Sequence, residues 1–190
     1  MDPIILASQS PRRKQLLEWA EIDFEIKVSE TDESYPSGLS IEEIPVFIAR
    51  KKALAVKEKP DDEKIILAAD TIVVLKDEVI GKPVDKNHAI DILMRLSGNH
   101  HRVITGVCIM KGKKEVCFAD ITDVWFHPLS KAQIEYYVDR YKPFDKAGAY
   151  AIQEWIGVTG IKSIHGDFYN VIGLPVSRVV QELENIVDRW

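Results

Sequence analysis

Hydrophobic and polar positions along the chain predict strands and helices in mixed order. Ile4–Ala7 and Ile65–Leu75 are nearly continuous apolar runs, which are typical of buried strands. Phe24–Val28 alternates between apolar and polar residues, as a half-buried strand does. Apolar residues spaced three or four apart predict helices between these strands. The pattern therefore indicates an α/β fold, a mixed, twisted sheet flanked by helices, in a single domain over residues 1–190.

Shorter signals predict where individual elements begin and turn. Ser10 is a good N-cap before Pro11 at the start of the first helix. Val103–Met110 and Val116–Phe126 predict the two strands of a long hairpin, and a short strand is expected near Val158–Ile164. The chain contains no internal repeat and no linker rich in Pro, Gly or Ser, which agrees with one domain.

Composition and charge narrow the classes of function. Of the 190 residues, 46% are apolar and 29% are charged, a balance that supports a full globular core. The 25 basic and 30 acidic residues give a net charge of −5, which argues against a general nucleic-acid or membrane-surface binder. We therefore expect no stable nucleic-acid complex and no membrane association. The first residues lack the basic and apolar parts of a secretory signal, so we expect a cytoplasmic protein.

The two cysteines, Cys108 and Cys117, flank the predicted hairpin loop and lie opposite one another in its register. In the reducing compartment that we expect, two reduced, packed thiols are favoured, although cross-strand neighbours can also oxidise to a disulfide. The spacing of the two cysteines and five histidines matches no metal-ligand pattern.

The segment Ser8–Arg13 follows the first predicted strand and begins the first predicted helix. Anions bind at such positions because the first N–H groups of a helix lack partners. Arg12 and Arg13 lie in the first helical turn, where the helix dipole disfavours cations. A phosphate neighbour would account for both arginines, and a solvated basic pair with packed stems is the alternative.

Asp70 interrupts the most apolar predicted strand, where a carboxylate is costly unless it is paired or bound to a metal. A functional carboxylate and a buried ion pair are both consistent with this position. Lys82 lies beyond the following turn, and it would return toward Asp70 if the two segments formed a hairpin.

An acidic loop at residues 30–33 precedes the second helix, which contains two adjacent lysines. Together with Asp70 the loop could supply the oxygen ligands that a hard divalent cation prefers, and a solvated loop is the alternative. Periodicity places Lys51 near the middle of the apolar stripe and Lys52 toward its edge. Spacing alone leaves open which lysine faces a site. The predicted stripe consists of Ile44, Phe47, Ile48, Leu54 and Ala55.

Small residues in Asp145–Gln153 allow a close approach to the backbone, and Gln153 offers a donor and an acceptor to a nucleotide base. An ordinary glycine-containing connection is the alternative. The sequence lacks the common phosphate-loop, dinucleotide-binding, serine-hydrolase and zinc-protease motifs, so none of those classes is indicated.

These segments together resemble the Maf family of nucleoside triphosphate pyrophosphatases. The resemblance runs in order through Ala7–Arg13, Ala69–Thr71, Gly81–Pro83, Asp145–Gln153 and Asn170–Pro175. The versions Ser-Pro-Arg-Arg and Asp-Lys-Ala-Gly-x-Tyr-x-Ile-Gln are similar to the branch that acts on dTTP and UTP. The resemblance implies an elongated, ITPase-like domain with a central cleft, and a homodimer.

The resemblance also implies a reaction, in which a nucleoside triphosphate is hydrolysed to the monophosphate and pyrophosphate with Mg²⁺ or Mn²⁺. By matching positions, Asp70 is expected to activate the attacking water, and Glu33 and Asp70 are expected to hold the metal. Lys82 completes the implied catalytic set.

Matching positions also imply the contacts with substrate, and here the motif favours Lys52 over Lys51. The residues expected to contact the phosphates are Ser8, Arg13, Lys52 and Lys82. Arg12, Thr71 and Gln153 match the positions at which this branch of the family selects the nucleobase of its substrate.

Two other functions remain open. The family's association with septum formation suggests a non-catalytic regulator of cell division that binds nucleotide or nucleic acid, but the net charge and Asp70 count against it. A pyrophosphatase for purine analogues such as ITP or XTP is disfavoured by Arg12, Thr71 and Gln153. We therefore expect a house-cleaning enzyme of the nucleotide pool, acting on canonical or modified pyrimidine nucleotides.

Overall fold

The computed structural model describes residues 2–57 and 63–187, the last of these by its backbone alone. Strands and helices alternate in mixed order, as the sequence predicts. The strands are β1 (Ile4–Leu6), β2 (Phe24–Ile26), β3 (Ile66–Leu75), β4 (Glu78–Ile80), β5 (His100–Lys111), β6 (Lys114–Phe126) and β7 (Ile161–His165). The helices are α1 (Pro11–Trp19), α2 (Glu43–Val56), α3 (Lys86–Leu96), α4 (Lys131–Tyr141), α5 (Trp155–Gly160), α6 (Phe168–Ile172) and α7 (Val176–Val187).

One mixed sheet joins all seven strands of the described ranges, in the order β2-β1-β3-β5-β6-β7, with β4 paired to β3. Strand β1 runs parallel to both β2 and β3. In contrast, β4 runs antiparallel to β3, and β7 runs antiparallel to β6. A mixed sheet flanked by helices confirms the predicted α/β fold class.

Contacts group the chain into two compact units. The first is drawn from Met1–Thr71, Thr105–Asp120 and Gly173–Trp190, and the second from Ile72–Ile104 and Ile121–Ile172. The single domain over residues 1–190 stays a prediction, as do the elongated shape and the central cleft.

In the first unit, α2 packs on the sheet through small side chains. Ala49 and Ala53 are fully buried in a core that also contains residues of β1, β3 and β5. Gly106 of β5 permits this close approach, because a Cβ atom there would lie 2.2 Å from the carbonyl carbon of Pro45. The backbone at the start of α2 therefore rests directly on the sheet.

In the second unit, a buried histidine lies among aromatic rings. His101 is 1% exposed, and its Nε2 shares a hydrogen bond of 2.7 Å with the hydroxyl of Tyr150. The His101 ring centroid lies 5.3 Å from that of Phe126 and 5.5 Å from that of Tyr150. Burial, and to a lesser extent the neighbouring His100, lowers the pKa of His101 from 6.5 to about 3.

Because His101 is buried, we expect the folded protein to lose stability as the pH falls. Below pH 6.5 the unfolded chain binds a proton at His101 that the folded protein does not bind until about pH 3, so stability falls over this range. We expect the His101 contribution to fall by about 2 kcal/mol between pH 6.5 and about pH 4.5. Urea unfolding of wild type and His101→Gln across this range measures it, and the variant should show a smaller acid-induced loss. Tyr150→Phe leaves His101 buried and should keep the wild-type slope; an equal slope in all three proteins would contradict the prediction.

The structure differs from the expected elements near residue 160. Only Ile161–His165 forms β7, whereas residues 158–160 belong to α5. The buried residues Ile156, Gly157 and Gly160 recur at helical spacing, and a Cβ atom at Gly157 would lie 1.8 Å from the carbonyl oxygen of Ile152. This close backbone contact, which the sequence pattern does not reveal, favours the helix over the predicted strand.

Candidate functional site

The chain leaves β1 and enters α1 through a turn that two serines stabilise. The Ser10 hydroxyl accepts a hydrogen bond from the N–H of Arg13 at 3.5 Å, so the predicted N-cap is confirmed. Ser8 is 7% exposed, and its hydroxyl accepts a hydrogen bond from the N–H of Ser10 at 3.2 Å. The Ser8 hydroxyl thus lies beside the first turn of a helix, where N–H groups favour an anion.

Arg13 is buried and connects three separate segments. Its Nε donates to the carbonyl of Gly173 at 2.8 Å, its Nη1 to Ser8 at 3.1 Å, and its Nη2 to the hydroxyl of Thr71 at 3.0 Å. Burial lowers the pKa of Arg13, and the charge of Asp70 acts in the opposite direction. The alternative of a solvated basic pair is therefore wrong for Arg13.

Thr71 and Gly173 complete this network. The Thr71 hydroxyl lies 2.9 Å from the Thr105 hydroxyl on β5 and donates to the Gly173 carbonyl at 3.4 Å. Gly173, whose carbonyl accepts the bond from Arg13 Nε, has a φ of 131°, which other residues rarely adopt. Arg12 lies half-buried in the same first turn of α1.

Asp70 lies on the face of β3 that α2 covers. Ile66, Ala68 and Asp70 share this face because alternate strand residues point the same way, and the first two belong to the core beneath α2. The Asp70 side chain is 12% exposed and accepts a hydrogen bond from Lys52 Nζ at 2.6 Å. The same Nζ lies 3.0 Å from Oε1 of Glu33. One ammonium thus joins two carboxylates, which offsets part of the cost of burying Asp70.

Three consecutive cations of α2 reach different partners. Arg50 pairs with Glu115, Lys51 pairs with Asp32, and Lys52 lies between Glu33 and Asp70. The Lys52 side chain is 18% exposed and that of Lys51 is 34% exposed, so the placement of Lys51 nearer the middle of the stripe is wrong. The buried stripe is rotated relative to the predicted one, since three residues counted in the prediction, Phe47, Leu54 and Ala55, are exposed. It consists of Ile44, Pro45, Ile48, Ala49, Ala53 and Val56.

The cluster of Glu33, Lys52 and Asp70 also fits a hard divalent cation. Carboxylate oxygens are the ligands that Mg²⁺ prefers, and two of them converge within hydrogen-bond reach of one ammonium. Mg²⁺ usually binds through one or two carboxylates and fills its other positions with water and phosphate oxygens. A two-carboxylate set therefore suits a cation that arrives with a phosphorylated ligand.

In the second unit, the end of β3 pairs antiparallel with β4 as a hairpin, and Lys82 follows it with an exposed side chain. The carbonyl of Gly81 accepts a hydrogen bond from the N–H of Gly148 at 3.2 Å. Gly148 has a φ of 71°, and a Cβ atom there would lie 2.8 Å from Cγ2 of Val73. The turn at Lys82 is thereby joined to the segment that carries Gln153.

Gln153 is exposed and follows backbone that buried polar side chains hold in place. The hydroxyl of Tyr137 on α4 accepts a hydrogen bond from the N–H of Ala151 at 3.3 Å and donates to Glu154. Burial, together with Glu154, raises the pKa of Tyr137. Lys146 is 9% exposed and lies 3.5 Å from the other carboxylate oxygen of Glu154. The segment around Gln153 therefore has a defined shape rather than that of a loose connection.

Sequence reasoning did not find Thr105, Tyr137 or Glu154. The hydroxyl of Tyr137 bonds with residues that are 14 and 17 positions away along the chain. The partner of Thr105 is 34 residues away. No periodicity or local motif indicates such bonds, because they depend on how distant segments meet.

The fold and these polar clusters define the class of protein. It is an α/β protein whose polar side chains gather after a strand and at a helix N-terminus, where phosphorylated ligands bind in many such folds.

Comparisons with known proteins identify the family. A family model described as Maf-like protein matches residues 3–186. A dTTP/UTP pyrophosphatase of Cytophaga hutchinsonii is 56% identical over 96% of this chain and 84% of its own length. A protein of the same name from Parabacteroides distasonis is 51% identical over 96% of this chain and 95% of its own length. The chain belongs to the Maf family.

A solved structure of a HAM1 protein from Coxiella burnetii is a far more distant match. It is 18% identical, covers 66% of this chain and 73% of that chain, and superposes with a TM-score of 0.43.

Proposed function

We propose that this protein hydrolyses dTTP and UTP to the monophosphate and pyrophosphate, as a house-cleaning enzyme of the nucleotide pool. The observation that carries the proposal is the similarity, over 96% of the chain, to relatives named dTTP/UTP pyrophosphatase. The grouping of Asp70, Lys52 and Glu33 supports it, because hydrolysis of a polyanion needs a base and positive charge at one place.

Asp70 is the general base in this proposal. Its carboxylate lies 2.6 Å from Lys52 Nζ, and in the reaction it takes the proton of the water that attacks the α-phosphorus. The new bond joins the water oxygen to that phosphorus, while the bond from the phosphorus to the bridging oxygen breaks. Pyrophosphate leaves with the electron pair of that bond.

Positive charge on the protein would bind the phosphates. Lys52 can turn from the two carboxylates toward a phosphate oxygen, and Arg13 provides a fixed charge because three hydrogen bonds hold its guanidinium. The buried hydroxyl of Ser8 adds a donor beside the α1 N-terminus. The phosphate-binding role of Lys82 rests on the family resemblance alone and stays a prediction.

We assign the recognition of the substrate's nucleobase to Arg12, Thr71 and Gln153. Thr71 is fixed by its bonds with Arg13 and Thr105, so its position beside Asp70 is rigid. The exposed amide of Gln153 offers both a donor and an acceptor, which suits a pyrimidine edge. These roles stay predictions from the family resemblance.

Glu33 and Asp70 would hold the divalent cation, Mg²⁺ or Mn²⁺. When bound, such an ion neutralises the charge that develops on the leaving pyrophosphate. Lys52 would then be released from the carboxylates toward the substrate, because the cation takes over the neutralisation of Glu33 and Asp70.

Pyrophosphate release from a panel of triphosphates tests the proposal. The panel holds dTTP, UTP, CTP, ITP and 7-methyl-GTP, each with Mg²⁺, with Mn²⁺ and with EDTA. We expect turnover of dTTP and UTP with either metal and loss of turnover with EDTA. The two carboxylates repel a polyanionic triphosphate unless a divalent cation neutralises their charge.

Other outcomes separate the alternatives. A preference for ITP would favour a purine-analogue pyrophosphatase and overturn the roles of Arg12, Thr71 and Gln153. No turnover of any nucleotide would contradict the enzyme and favour a binding regulator of cell division, which a gel-shift with DNA at physiological salt would then examine.

Helices long and apolar enough to cross a membrane are absent from the described ranges. The homodimer, the cytoplasmic location and the absence of a stable nucleic-acid complex stay predictions. Sedimentation of the purified protein would measure the first of these.

A further inference from the structure

The β5–β6 hairpin brings the two cysteines of the chain together. The strands are joined by the two-residue turn at Gly112-Lys113, so that Cys108 and Cys117 are opposed in the register that the sequence predicts. Cys108 is fully buried, and Cys117 packs beside it at the edge of the core beneath α2. Both thiols therefore lie on the face of the sheet that α2 covers.

A carboxylate completes this group. Glu115 precedes Cys117 by two residues, on the same face of β6, and its Oε1 accepts a hydrogen bond from the Cys117 thiol at 3.5 Å. One ligand atom from each of Cys108, Cys117 and Glu115 lies within 4.8 Å of the other two. Two sulfurs bound to one tetrahedral zinc ion lie about 3.8 Å apart, so side-chain adjustments of about 1 Å suffice to surround such an ion.

We propose that Cys108, Cys117 and Glu115 form a binding site for a zinc-class divalent cation, whose fourth position is open to water. Thiolates select zinc-like ions over Mg²⁺, which prefers oxygen ligands. The site is therefore distinct in chemistry, as well as in residues, from the Glu33 and Asp70 pair. It does not depend on the proposed enzymatic function.

Arg50 of α2 balances the charge of this site. Its Nε and Nη2 lie 2.5 and 3.2 Å from the two carboxylate oxygens of Glu115 and orient that side chain. The formal charges of the bound site sum to zero, because two thiolates and one carboxylate are balanced by a divalent cation and the guanidinium. Metal binding therefore buries no net charge. Each carboxylate oxygen accepts more than one bond, so Glu115 can bind a metal and keep Arg50.

Metal binding must displace protons from the thiols. The neighbouring Cys117 and burial raise the pKa of Cys108, whereas the hydrogen bonds from Arg50 lower the pKa of Glu115. Affinity should therefore increase with pH, with release of protons on binding.

Titration with Co²⁺, a spectroscopic substitute for zinc, tests the site. The reduced, metal-free, full-length protein is titrated without oxygen, and absorption is followed in the thiolate-to-cobalt and visible bands. We expect a thiolate-to-cobalt band that saturates at one equivalent and is lost when Zn²⁺ is added. Binding of Co²⁺ at Glu33 and Asp70 would give no such band, because those ligands are oxygens.

Three variants distinguish this site from binding elsewhere. Cys117→Ser, at the more accessible of the two thiols, should weaken the apparent affinity at least 100-fold and remove most of the band. Glu115→Gln should weaken it at least 10-fold. Glu78→Gln is the matched control, because Glu78 also pairs with an arginine, Arg95, but is not among the residues grouped with the cysteines. It should bind as wild type does.

Three results would overturn the proposal. These are the absence of a thiolate band at one equivalent of Co²⁺, an unchanged band in Cys117→Ser, and equal affinity of Glu115→Gln and Glu78→Gln. Circular dichroism of each variant confirms that it is folded before titration.

Discussion

Replacing Asp70 by asparagine will lower kcat for dTTP by about 10²–10⁴-fold. The amide is nearly isosteric with the carboxylate, but it cannot accept the proton of the attacking water. Lys52 keeps Glu33 as a partner at 3.0 Å, so the variant should remain folded. Steady-state pyrophosphate release, with thermal unfolding measured on the same preparation, checks both parts of this prediction.

Asp32→Asn is the matched control for this experiment. Asp32 pairs with Lys51 of the same helix, and that hydrogen bond is the main cause that lowers the pKa of Asp32 to about 2. Its side chain is 71% exposed, so the loss of charge should change kcat by less than about threefold. Near-normal turnover in Asp70→Asn, or an equal loss of turnover in both variants, would contradict the role of Asp70 as the general base.

Replacing Gly106 by alanine will destabilise the protein by about 3 kcal/mol, which corresponds to a Tm lower by about 10 °C. The new Cβ atom would lie 2.2 Å from the backbone of both Pro45 and Val46. No side-chain rotation relieves a clash with backbone atoms, so α2 must move away from the sheet. Because α2 carries Lys52, kcat should fall as well. Thermal unfolding and pyrophosphate release measure the two effects.

Gly81→Ala provides the comparison, because no atom lies within 4 Å of a Cβ built at Gly81 and its φ is not positive. Its unfolding free energy should change by less than about 1 kcal/mol. If Gly106→Ala unfolds at the same temperature as Gly81→Ala, the close contact of α2 with the sheet is not a feature of the protein in solution.

Elements whose signals are local were predictable from the sequence. Ser10 and Pro11 mark the start of α1 because capping depends on residues a few positions apart. The nearly continuous apolar run of β3 indicated a buried strand, and β3 is buried between β1 and β5. The helix at residues 158–160 was missed because its cause is a close backbone contact at Gly157.

The candidate site was predictable to a smaller extent. Asp70 stood out because a carboxylate within an apolar strand is costly, and the structure shows its partner to be Lys52. The choice of Lys52 over Lys51 needed the family motif, because it depends on a rotation of α2 that exposes Phe47. The bonds of Arg13 were not predictable, since its partner Gly173 lies 160 residues away.

The position of Lys52 makes ligand binding an exchange of partners. The ammonium and the carboxylates of Glu33 and Asp70 carry a combined formal charge of −1, so a bare triphosphate meets repulsion there. If the ammonium turns to a phosphate, the two carboxylates lose their counterion, and a cation that arrives with the nucleotide restores it. Metal and nucleotide should therefore bind with positive coupling, each raising the affinity of the other by the same factor.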